Sequence, residues 1–336
     1  MAKIVLGIGT SHAPQLITTV EEWQLRVAAD KQNSHFFRCK PISFDELVTL
    51  RADQDFKSEI VPAKQQAKHQ RNQDALDRLG DVFAKAKIDV AVVVGNDQSE
   101  CFSEENVAAF SVYRGKTFDN IPKTPEQIAK MPPGIAPTAR GYCPPERATY
   151  TSVPELADHM IDSLMTSSFD VGQTTKLPVG PQGTNSIQHA FGFVYRRIMH
   201  DDVIENVPVF VNTHYPPNRP NAARCLKFGE GLAAAIASWP EDVRVAVIAS
   251  GGLTHYVIDE DFDRKVLDAM KNRDLPALAA IDEAWLLSGG TAELKNWLPM
   301  VSAMNASGLS MNLLDYVPCY RSEAGTGTAM AFAYWS

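Results

Sequence analysis

Lys3-Ile4-Val5-Leu6-Gly7-Ile8-Gly9-Thr10-Ser11-His12-Ala13-Pro14 opens the chain. An apolar, β-branched run ending in glycines predicts a buried strand, and the turn after it delivers His12 at the strand's carboxyl end. Open α/β sheets bind their ligands in the crevice outside those carboxyl ends. The same design recurs three times. The run 88–95 is followed by Asn96-Asp97-Gln98-Ser99-Glu100, the run 207–213 by His214-Tyr215, and the run 243–250 by Gly251-Gly252-Leu253-Thr254-His255. Helical patterns lie between them: one opened by Pro62 with Leu76, Leu79 and Phe83 on its apolar stripe, another over 222–238. Strands alternating with helices predict an α/β fold, a mostly parallel central sheet flanked by helices. Its rim would gather His12, Asp97, Gln98, His214 and His255. A glycine-bearing loop, 183–189, leads into an apolar helix over 190–199 and sets His189 near a helix N-terminus. Backbone dipoles there lower an imidazole's pKa and favour its neutral form.

The 336 residues are 45% hydrophobic and 21% charged, enough for a sizeable core. A formal net charge of -8 argues against nucleic acid as the partner. No apolar run reaches the ~20 residues of a membrane span. The first strand follows without a basic region or cleavage site, so a cytoplasmic protein is expected. The five cysteines, Cys39, Cys101, Cys143, Cys225 and Cys319, are odd in number and far apart. They suggest neither a disulfide framework nor a zinc motif. The expected architecture is a single catalytic domain over 1–336. It carries a helical insertion at about 21–85, a Pro-rich loop at about 116–150 acting as a lid or interface arm, and a helical C-terminal part at about 263–336. A homodimer is the default assembly.

Histidines and carboxylates sharing one rim, with coordination positions left open, suit a non-heme iron(II) centre; manganese and zinc fit similar donors. The sequence has no HExxH, P-loop, GxSxG or strand-bounded GxGxxG motif, and those chemistries lose support. Tyr215 is a candidate for lining a substrate pocket. Arg321 in the glycine-rich tail, and Arg140 and Arg147 in the Pro-rich loop, are candidates to grip a substrate carboxylate through paired hydrogen bonds.

Four stretches carry a resemblance: the opening GIGTSHAP at 7–14, Asn96-Asp97-Gln98, IQHAFGFVY at 187–195, and GGLTH at 251–255 followed by DEDFD at 259–263. In that order they resemble the class III (LigB-type) extradiol ring-cleavage dioxygenases, from Met1 to about Met270. The opening and the long N-terminal segment look most like the 3-O-methylgallate branch. The resemblance implies a LigB-like fold, Fe(II), O2 as co-substrate, and meta cleavage of a carboxylated, methoxylated catechol from lignin such as 3-O-methylgallate. It implies a metal site of two histidines and a glutamate, with His12 as the first and the carboxylate at Glu260 or Asp261. The second histidine's position holds Gln98 here, a departure that leaves three alternatives. Gln98 ligates through its amide oxygen, Asp97 or another histidine (His69, His214 or His255) takes its place, or the metal has been lost. His189 matches the family's acid/base histidine, and His255 lies where it would position substrate. Two further readings stand beside this one: a metal-dependent hydrolase or C–C lyase on the same scaffold, and a non-catalytic partner subunit.

Overall fold

The computed structural model describes residues 1–336 apart from Glu104 and Ser288. Its central sheet has nine strands: β1 (Lys3–Thr10), β2 (Val90–Gly95), β3 (Phe110–Tyr113), β4 (Gly172–Thr174), β5 (Asn206–Val211), β6 (Arg244–Ser250), β7 (His255–Val257), β8 (Met311–Tyr320) and β9 (Thr326–Trp335). Their order is β7-β9-β1-β6-β2-β5-β3-β4, with β8 on the other edge of β9. β1, β6, β2 and β5 are mutually parallel, so their carboxyl ends share one rim. β9 runs antiparallel to β1, β7 and β8.

The four parallel strands are near-continuous apolar runs because helices cover both faces. Alternation along each strand assigns side chains to one layer or the other. Val92, Val94, Val245, Val247 and Ala249 face the layer built from α2 (Pro154–Thr166), α4 (Ala222–Ser238), α5 (Glu260–Lys271) and α6 (Leu294–Ala306). Ala91, Val93, Ala246 and Ile248 face α1 (Pro62–Ala86) and α3 (His189–Arg197) with Leu76, Leu79, Phe193 and Tyr195. α6 lies directly on β1. A Cβ at Gly9 would stand 2.6 Å from the ring of the wholly buried Trp297, so only glycine admits this approach.

Three segments differ from what the sequence predicts. The C-terminal part is helical only as far as Ala306; residues 311–335 form the long β8–β9 hairpin, which supplies a wall of the sheet. Ser288, within the stretch read as helical, lies outside the described residues. The insertion at 21–85 is helical except for a small hairpin, His35–Phe37 with Lys40–Ile42. The Pro-rich loop at 116–150 contains a strand pair, Thr117–Asn120 with Ala148–Thr151, and a short helix, Pro125–Lys130.

Candidate functional site

The shared rim brings together the residues that follow β1, β6, β2 and β5. His12 is buried just beyond β1, and its Nδ1 meets the Ser250 hydroxyl at the end of β6 at 2.8 Å. That contact leaves Nε2 directed at the cavity, the arrangement by which a hydrogen-bonded histidine is set up as a ligand. Opposite stands Glu293, the N-cap residue of α6, 3% exposed. His12 Nε2 and Glu293 Oε2 are 3.0 Å apart, yet neither forms a hydrogen bond. Two buried polar atoms this close, with no other hydrogen-bond partner, can share a cation placed between them. With His189 they form a group whose ligand atoms all lie within 4.8 Å, a donor set that fits a divalent cation.

Glu293 is the electrostatic centre. Burial pushes its pKa up, but His12, His214 and His255 hold it well below the usual carboxylate range. His214 Nε2 is 3.8 Å from Oε1 and His255 Nε2 3.9 Å from Oε2. The Gln98 amide donates to Oε1 and lies 3.4 Å from His214 Nε2. His255 donates its Nδ1–H to the Leu253 carbonyl, and burial lowers its pKa. A Cβ at Gly252 or at Gly290 would collide with its ring, so two glycines clamp the imidazole between backbone segments.

His189 begins α3, as expected, with its ring edge-on to His12 at a centroid distance of 4.8 Å. The expectation of a neutral imidazole is corrected. Glu100 accepts from His189 Nδ1 at 2.6 Å and from its backbone N–H at 3.1 Å. Burial lowers the pKa, but the Glu100 carboxylate outweighs it and raises it to about 9. A paired carboxylate at this distance overrides the helix dipole.

Other expected residues fall elsewhere. Glu260 and Asp261 are corrected as ligands: they occupy the first turn of α5, where carboxylates favour the helix N-terminus. Glu260 accepts from Tyr320 Oη and Arg264, and Asp261 is exposed beside Arg38. Asp97 turns away from the cluster to accept from the backbone N–H groups of Glu100 and Cys101 and from Gln188. His69 packs edge-on against Trp23. Tyr215 lines a second cavity and is joined to Ser99. Arg321 does line the main cavity, but both oxygens of the buried Asp30 occupy its guanidinium. Arg140 is held by Glu22, and Arg147 by Asp119. Reading the sequence alone misses Glu293. The available signal is a second glycine pair, Gly289-Gly290, and one acid heading a mostly apolar helix.

The cavity in front of these groups has a volume of about 210 Å³. Its far wall comes from outside the sheet: Ile17, Arg26, Lys123, Met131, Ile135, Thr138 and Tyr142. Among the described residues no helix is long and apolar enough to cross a membrane. Gallate dioxygenase of Pseudomonas putida (strain KT2440) is 29% identical over 175 residues, 48% of this chain and 49% of that protein. The chain thus spans about half the length of this curated relative. An uncharacterised protein of Escherichia coli K12 with a crystal structure is similar at a TM-score of 0.46 and 15% identity, over 79% of this chain and 92% of that one. Residues 57–328 match the catalytic LigB subunit of aromatic ring-opening dioxygenase. With that match extending over well more than half its length, and a His–His–Glu group at the rim, the chain belongs to the LigB family of aromatic ring-opening dioxygenases.

Proposed function

We propose that this chain is an iron(II)-dependent extradiol dioxygenase. It opens the ring of a carboxylated, methoxylated catechol such as 3-O-methylgallate and adds both atoms of O2 to it. The observation that carries this reading is the convergence of His12 Nε2 and Glu293 Oε2, orphaned and 3.0 Å apart, in a cavity of about 210 Å³. His12 and Glu293 would hold the ion, and Gln98, whose amide N–H donates to Glu293 Oε1, would keep that carboxylate in place. Bound iron(II) supplies Lewis acidity toward the two vicinal hydroxyls and electron exchange with O2.

The chain's own residues do the rest. Ser250 orients the His12 ring so that Nε2 faces the cavity. Glu100 grips His189 at two points and favours its cation, so Nε2–H is the proton left to give to an oxygen of the substrate and to recover from it later. His255, held rigid between Gly252 and Gly290, lines the same cavity and would position the substrate. Ile17, Met131 and Ile135 exclude water from the ring.

Anaerobic reconstitution with iron(II), with manganese and zinc in parallel, followed by oxygen uptake over a panel of catechols, tests the proposal. Uptake coupled to a yellow ring-fission product is expected with iron. A metal requirement without uptake would turn the reading to a hydrolase or C–C lyase, and neither would turn it to a non-catalytic partner subunit. The three-residue geometry favours a second assignment, in which His189 is itself a ligand. Metal content separates the two: His189→Gln is expected to keep its iron while turnover falls roughly 10²–10⁴-fold. Loss of iron in that variant would make His189 a ligand.

A further inference from the structure

The cations that line the cavity differ in how they are neutralised. Arg321 is bound by both oxygens of Asp30, at 2.6 and 2.8 Å, and reaches Gln15. Lys123 donates to Gln182 at 2.9 Å and stands in the field of Glu100. Arg26 has no comparable partner. Its Nε is buried without a hydrogen bond, and among the described residues no carboxylate forms an ion pair with it. Its guanidinium lies over the ring of Tyr256, 5.8 Å from the centroid. Its stem is pinned by the Pro-rich arm, since a Cβ at Gly134 would stand 2.3 Å from Arg26 Cγ. Burial and the neighbouring Arg321 work against its cation and outweigh the favourable fields of Tyr256 and of Asp30, which is itself bound to Arg321. A half-buried guanidinium, fixed in place and facing a carboxylate that Arg321 already occupies, is stabilised when a second anion arrives. Its planar fork matches a carboxylate through two parallel hydrogen bonds, which an ammonium does not reproduce.

We propose that Arg26 is the residue that receives the substrate's carboxylate, orienting an aromatic acid so that its hydroxyl-bearing edge faces His12 and Glu293. The orientation rests on the ring-cleavage reading of this cavity; capture of the carboxylate does not. The test therefore uses binding, measured calorimetrically on the full-length, metal-free protein, with 4-hydroxybenzoate against phenol as probes. Oxygen uptake on 3,4-dihydroxybenzoate against catechol is followed separately on the iron-loaded protein.

The wild type is expected to prefer the acid by roughly 10- to 100-fold, the range of a charge-assisted pair, and Arg26→Gln to erase that preference without weakening phenol binding. Arg26→Lys keeps the charge without the fork and is expected to retain part of the preference; it is the variant to read if Arg26→Gln does not fold. A preference for the acid that survives in Arg26→Gln, or that vanishes only in Lys123→Met, overturns the assignment. So does a wild type that binds both probes equally. An Arg26-dependent preference without any oxygen uptake upholds the carboxylate site and removes the dioxygenase reading instead.

Discussion

Ser250 decides which nitrogen of His12 faces the cavity, through a single 2.8 Å contact. Ser250→Ala is expected to weaken metal binding roughly 10- to 100-fold, the usual effect of losing such a support, as read by chelator competition. An unchanged affinity would assign the ring's orientation to another cause. Asp263 makes a separate prediction about pH. It is buried and accepts from the Thr254 N–H, the Thr254 hydroxyl and Tyr316 Oη, yet burial outweighs these donors and raises its pKa from 3.8 to about 7. A carboxyl raised in this way contributes stability that is complete below its unfolded pKa and is lost as pH rises through the folded one. Denaturant midpoints between pH about 4 and about 8 should fall more steeply for the wild type than for Asp263→Asn; parallel slopes would refute the shift. At this scale the sequence is legible where a polar residue ends an apolar strand, as at His12 and Gln98. It is illegible at Glu293, because an acid heading a mostly apolar helix looks like an ordinary cap, whereas the acid-rich run around Glu260 looks like a site and is in fact a helix start.

At the scale of elements, the contact between Gly9 and Trp297 couples stability to the metal centre, because α6 carries Glu293 at its head. Gly9→Ala is expected to cost about 1–3 kcal/mol as an overpacked core and to loosen metal binding with it. Urea melts with and without iron(II) would show both; a stability loss with unchanged affinity would mean that α6 shifts without moving its head. The valine- and isoleucine-rich strands β1, β2, β5 and β6 are readable because few other structures bury such runs. β9 is not. Its Thr-Gly-Thr-Ala-Met-Ala-Phe-Ala-Tyr-Trp sequence is buried on both faces, so no alternation marks it, and alanine and methionine suit a helix equally well.

At the scale of the whole molecule, four parallel strands joined by crossover connections make the convergence of distant residues a consequence of topology. His12 and Glu293 are 281 positions apart by number, and only the folded chain presents both. An ion that binds this state alone raises its stability by mass action, about 2.7 kcal/mol at a hundredfold excess over Kd. Anaerobic melts should therefore shift upward with iron(II) in the wild type and remain still in Glu293→Gln and His12→Ala; an equal shift in either variant would place the ion elsewhere.

The wall formed by Ile17, Arg26, Lys123, Met131, Ile135, Thr138 and Tyr142 has one more consequence. None of these side chains belongs to the strands of the shared rim, so under the proposed reading the groups that hold the ion and those that meet the ring's substituents occupy different stretches of the chain. Transplanting the two wall segments between relatives should carry ring-substituent preference along with them and leave iron affinity behind, which makes this scaffold easy to diversify without relearning its chemistry.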